Sequence, residues 1–129
     1  MWQTEVASDE YEHRLKRFRK ERPREVVSAL GNLNSFLLAL NAGTLPQNVR
    51  KGFVHPEPGG VLAITEKGAG KNAIPIRLYV YPDGGARKLY LITLGDKKSQ
   101  NVDIGFCKLT LKKIFSEGRN PDVQEEGIR

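Results

Sequence analysis

Apolar residues along the chain follow two different rhythms. Tyr11, Leu15 and Phe18 recur at spacings of four and three, and Val26, Leu30, Leu33, Leu37 and Leu40 continue that alternation. Such spacing places them on one face of a helix. Ser8 or Asp9 offers an N-cap for the first helix. Pro23 ends that helix or opens the next, so a second helix is predicted over residues 23–41, terminated by Gly43. Two amphipathic helices joined by a short break form a hairpin suited to covering a sheet. The basic residues of the first helix fall mostly off its apolar face and are expected to be solvated.

The rhythm then changes. Residues 43–60 contain Gly43, Pro46, Gly52, Pro56, Pro58, Gly59 and Gly60 and read as a long connector. Residues 61–65 read as a strand and residues 67–72 as a flexible loop. Beyond them Ile76, Leu78 and Val80 alternate with Arg77, Tyr79 and Tyr81, the period of a strand. The first set is expected to face the helices and the second to face away. Asp83-Gly84 supplies turn chemistry for a hairpin into residues 89–94. Ile104, Cys107, Leu111, Ile114 and Phe115 fit one last helix. Residues 2–6 read as a short first strand. The expected fold class is α+β, with residues 61–94 forming a three-stranded antiparallel meander under the helical hairpin. Residues 1–117 make one domain, and 118–129 a loosely held tail rich in acidic residues and poor in apolar ones.

Composition narrows the function classes. The chain has 129 residues, 39% hydrophobic and 28% charged, ordinary for one globular domain. Its net charge of +6 and pI near 9.6 point to a polyanionic partner, nucleic acid or acidic protein. The positive charge clusters in residues 14–24 and 97–113. The single Cys107 excludes an internal disulfide and a cysteine-cluster zinc site; on an apolar helix face it reads as a small core residue. His13 and His55 are far apart and lack metal-ligand spacing. Gly68-Ala69-Gly70-Lys71 fails as a phosphate loop, because the required upstream glycine is Thr65 and Asn72 follows the lysine. No serine-nucleophile elbow is present. No apolar run is long enough to span a bilayer, and the first residues lack the pattern of a signal peptide, so no membrane role is expected and the expected location is cytoplasmic. No metal or cofactor is expected.

The strongest candidate for chemistry is Arg77, a cation in an apolar and aromatic strand, which needs a partner or a path to solvent. Lys97 and Lys98 follow the next strand, near the point where its hairpin neighbour begins. They are expected to approach the Arg77 end of the sheet. A lysine among other cations can act as a general base near neutral pH. Tyr79 and Tyr81 are candidates for stacking on bases at an exposed sheet face, against ordinary strand packing.

The order of elements, the Arg77–Tyr81 strand and the run Leu94-Gly95-Asp96-Lys97-Lys98-Ser99-Gln100-Asn101-Val102-Asp103 resemble the RelE/ParE superfamily of toxins from bacterial toxin–antitoxin modules. The resemblance covers roughly residues 2–115. It implies a small α+β fold with helices on one face of an antiparallel sheet. In RelE-like members it implies a metal-independent endoribonuclease that cuts mRNA on the ribosome. There, a basic residue activates the ribose 2′-hydroxyl and an arginine stabilises the crowded phosphate. Arg77 matches the family's strand arginine. Lys97 matches the basic residue after the glycine that ends the last strand, with Lys98 beside it. Arg50 and Lys51 resemble the family's basic residues before the second strand. Some members carry a tyrosine near the start of the last helix; Asp103 stands there in this chain, for proton transfer or as a helix cap. The implied partners are a cognate antitoxin and mRNA on the ribosome. Two alternatives stay open: a ParE-like poison of DNA gyrase without nuclease activity, and a non-toxic binding module on the same scaffold.

Overall fold

The computed structural model describes residues 1–66 and 75–118. The predicted loop at 67–72 and nearly all of the predicted tail lie outside the described residues. The chain runs β1 (Gln3–Val6), α1 (Asp9–Glu21), α2 (Pro23–Asn41), β2 (Val54–Pro56), β3 (Leu62–Thr65), β4 (Ile76–Asp83), β5 (Lys88–Asp96) and α3 (Gln100–Lys113). The fold is α+β.

Both helices of the hairpin form as their periodicity dictates. Ser8 caps α1 by accepting from the Tyr11 N–H, and Asp9, Glu10 and Glu12 complement the positive end of the helix. Pro23 opens α2 at its first turn, where a missing N–H costs nothing. Gly43 takes φ 103° just beyond α2, and Thr44 N–H donates to Ala39 O, closing the helix with a left-handed residue. Tyr11, Phe18, Val26, Leu33, Phe36 and Leu40 are buried in one core with Ile64, Ile76, Leu78, Val80, Leu89, Leu91 and Leu94 of the sheet. Ile76, Leu78 and Val80 thus face the helical hairpin, as the strand period requires.

The sheet has five strands in the order β1-β5-β4-β3-β2. The meander β3-β4-β5 is antiparallel throughout. Two strands extend it. The three-residue β2 lies inside what the sequence suggests is pure connector and pairs with β3. β1 pairs with β5 in parallel, Gln3 opposite Lys88 and Val6 opposite Leu91. A bulge between Tyr79 and Val80 shifts the β4-β5 register.

The second face of the sheet is not open. α3 crosses it and builds a second core from Val61, Ala63, Tyr79, Tyr90 and Ile92 with Cys107 and Leu111. The implied arrangement with all helices on one face is therefore corrected: the sheet lies between the hairpin and α3. The reason is the apolar stripe of α3, with Ile104, Phe106, Ile114 and Phe115 also packed there, which needs a sheet face to bury it. Among the described residues no helix is long and apolar enough to cross a membrane.

Candidate nucleic-acid interface

The strand registers bring one row of residues together across the sheet. Arg77 stands opposite Gly95 on one side and Thr65 on the other, and Thr65 N–H donates to Phe53 O at 2.9 Å. The row Phe53–Thr65–Arg77–Gly95 marks one end of the sheet. Lys97 and Lys98 lie just past Gly95, in a single 3₁₀ turn Lys97–Ser99 that leads into α3. Arg50 and Lys51 precede Phe53 at the same end, and both are exposed. Arg50 Nη1 donates to Gln47 O at 2.8 Å. By register, the backbone positions of the basic residues selected from sequence, separated by up to nearly fifty positions, lie at one end of the sheet, the basic rim.

The hairpin adds to it. Arg22, at the break between α1 and α2, reaches Asp96 Oδ2 at 3.6 Å and lies over the Phe18 ring. That contact brings the basic end of α1, with exposed Arg19 and Lys20, beside the Lys97–Lys98 turn. Lys97 and Lys98 are themselves exposed, so their ammonium groups are accessible to a ligand.

Arg77 is partly buried, with 22% of its side chain exposed, and pairs with Glu57 at 3.4 Å. That separation is longer than a tight charge-assisted bond, and a guanidinium has five donors. Glu66, directly after β3, accepts from the Ile76 N–H. Burial pushes the Glu66 carboxyl above the ordinary glutamate range and Glu25 adds to it, while the Ile76 N–H and Arg77 pull the other way. Sequence reading passed over Glu66, Glu57 and Glu25. The available signal was an acidic residue at the mouth of an apolar strand, which only the β3-β4 pairing connects to Arg77.

Two expected site residues are corrected. Tyr79 is fully buried beneath α3, so its ring cannot stack on a base. Burial, helped by Asp103, drives its hydroxyl well above the usual tyrosine range, and among the described residues the Tyr79 Oη has no hydrogen-bond partner. Asp103 is 1% exposed and fully engaged: Arg14 Nη1 donates to its Oδ1 at 2.8 Å and Ser99 Oγ to its Oδ2 at 2.6 Å. It is not a solvent-accessible proton donor; it stands in the first turn of α3, where its charge complements the helix end, but it makes no side-chain cap bond to the α3 backbone, and the 3₁₀ turn before α3 has a cap of its own. The cap is Asp96, whose Oδ1 accepts from Lys98 N–H at 3.0 Å and Ser99 N–H at 3.2 Å. Tyr81 is half-buried, its ring edge-on to Phe115 with centroids 5.6 Å apart.

Arg14 is the residue least expected here, since a solvated role was predicted for the α1 cations. It lies where β1 has ended and the edge of β5 has no strand partner among the described residues. Ser8 Oγ donates to Ile92 O at 2.7 Å and Arg14 Nη1 to Leu94 O at 2.9 Å, so two side chains finish the ladder. The guanidinium then spans the sheet edge to Asp103. Burial disfavours its charge, yet hydrogen bonds and attraction to Asp103 and Glu10 outweigh this and raise its pKa above the ordinary value.

A groove of about 940 Å³ lies toward the other end of β5, between β1 and α3, with Glu5, Lys88, Phe106 and Leu109 in its walls. It is remote from the basic rim and is not the candidate site. The chain matches no protein-family model, no curated protein and no solved structure.

Proposed function

We propose that the protein is a RelE-like toxin that cleaves mRNA on the ribosome without a metal ion, using the basic rim as its active site. One observation carries the reading: the registers that set Arg77 opposite Gly95 also set Lys97–Lys98 and Arg50–Lys51 at the same sheet end. Concentrated cations at a fixed geometry stabilise the extra negative charge of a crowded phosphate. In this reading the RNA backbone crosses the sheet end. Lys97 takes the proton from the ribose 2′-hydroxyl, the 2′-oxygen bonds to phosphorus, and the bond to the 5′-oxygen breaks. Lys98 returns a proton to that oxygen, leaving a 2′,3′-cyclic phosphate and a 5′-hydroxyl end. Arg77 holds the non-bridging phosphate oxygens through two donors, in competition with Glu57. Arg50 and Lys51 hold flanking phosphates. A cognate antitoxin with an acidic segment fits the same rim, and its association is expected to weaken with salt.

The burial of Tyr79 and Asp103 favours a second reading. It takes two polar groups out of play, and a ParE-like toxin that traps gyrase by protein contact needs no proton-transfer set. Mapping the 5′ ends of a translated reporter mRNA after induction separates them. New ends within the coding region, lost in Arg77→Ala, support the nuclease; intact mRNA with gyrase trapped on DNA refutes it.

A further inference from the structure

We propose that Ser99 is a positioning residue that fixes the Lys97–Lys98 turn from beneath, through a chain of side chains anchored on α1. The inference rests on the reading of that turn as the reactive edge of the site.

A three-residue 3₁₀ turn carries few hydrogen bonds of its own, and its lysines are exposed, so its conformation must be set from outside. Ser99 is where the outside contacts meet. Its Oγ donates to Asp103 Oδ2 at 2.6 Å and accepts from Asp96 N–H at 3.3 Å. Its N–H donates to Asp96 Oδ1 at 3.2 Å. Asp103 is anchored in turn by Arg14 and Asp96 by Arg22, both borne by the helical hairpin. The turn is thereby tied to the hairpin on one side and to the first turn of α3 on the other.

Gly95 makes the arrangement possible. A Cβ there would fall 2.0 Å from Asp103 Oδ2 and 2.6 Å from Ser99 Oγ. The space a side chain would fill in β5 is thus occupied by the carboxylate–hydroxyl pair. Arg77 stands opposite Gly95 in the β4-β5 register, so the pair sits over the residue that neighbours the arginine in the sheet and precedes the lysine turn in the chain. The hydroxyl of Ser99 sets the height of Lys97 and Lys98 relative to Arg77, without touching the substrate.

The test uses the full chain as wild type, Ser99→Ala and Ser99→Thr. Two readouts are taken: steady-state cleavage of a defined mRNA on translating ribosomes, and titration with a uridine octanucleotide followed at the Lys97 and Lys98 backbone amides. Ser99→Ala is expected to lower kcat about 10- to 100-fold with KM changed by less than about twofold, as a small misplacement of reacting groups does. Ser99→Thr, which keeps the hydroxyl, restores kcat. At saturating octanucleotide the bound-state shifts of the two amides shrink by roughly half in Ser99→Ala and return in Ser99→Thr. A serine that only stabilises the fold would lower the unfolding midpoint and leave kcat and the amide shifts unchanged, and that outcome overturns the inference. If the wild type binds the octanucleotide but cuts nothing, the nuclease reading falls and the amide shifts alone decide: a Ser99→Ala pattern equal to wild type overturns the inference, and a reduced one supports it. A wild type that neither cuts nor binds overturns both.

Discussion

Replacing Arg14 by Met isolates the cost of stranding a buried carboxylate. The change keeps the apolar stem of the side chain but removes the guanidinium, its donors and its charge. Asp103, 1% exposed, loses its only ion-pair partner among the described contacts, at 2.8 Å, and Leu94 O loses its donor at 2.9 Å. Breaking a buried pair by deleting one partner costs about 3–5 kcal/mol. The Arg14 side chain is 20% exposed, so water relieves part of this and the lower end applies, about 3 kcal/mol. For a domain of this size the melting temperature falls by about 10–15 °C. Chemical unfolding followed by circular dichroism measures the loss, and a cycle with Asp103→Leu assigns it. Removing both charges leaves an apolar pair, so Arg14→Met/Asp103→Leu is expected to recover more than half of the loss. If Arg14→Met lies within about 1 kcal/mol of wild type, or the double variant is as unstable as the two losses summed, the buried pair does not anchor α3 to α1.

Three further outcomes follow from the same structure. Gly95→Ala places a methyl into Asp103 Oδ2 and is expected to cost about 1–3 kcal/mol by overpacking; an unfolding midpoint equal to wild type would contradict the close approach. Cys107 is fully buried with its thiol pushed up to about 12, so a disulfide reagent at about pH 8 should leave it unmodified in the native chain and modify it promptly after unfolding. Glu66 holds its proton to higher pH when folded than when unfolded, mainly through burial. The unfolded chain therefore binds fewer protons between the two values, and stability falls as pH rises through that window. Glu66→Gln should flatten this slope in urea midpoints measured between about pH 4 and 7, and an unchanged slope would refute it.

Much of the fold was legible because local period and turn chemistry agree. Leu15 and Phe18 on α1, Ile76 to Val80 on β4 and Cys107 to Leu111 on α3 each carry the spacing of the element they form. What sequence did not reveal depends on pairing between distant segments. A three-residue β2 has too few positions to display alternation. The exposed β1 shows no apolar face, and nothing local sets it parallel to β5. Tyr79 could be placed on the correct face but not under α3, because a strand's period says nothing of what covers it. The basic rim was half legible: Arg77, Lys97 and Lys98 stood out as cations near strand ends. Arg14 and Arg22 did not, since a helical cation that turns inward has the same sequence signature as one in water.

In the proposed function the cations at the Arg77 end of the sheet perform a reaction. The direct measurement is the rate and end-group chemistry of mRNA cleavage on purified translating ribosomes by wild type, Arg77→Ala, Lys97→Ala and Lys98→Ala. Wild type is expected to cleave in metal-free buffer and leave 2′,3′-cyclic phosphate ends. The rate is expected to fall about 100- to 1000-fold for Arg77→Ala, as for loss of one transition-state donor, comparably for Lys97→Ala and less for Lys98→Ala, with all variants folded. Cleavage by Arg77→Ala at the wild-type rate, or a folded wild type that leaves ribosome-bound mRNA intact, would contradict it.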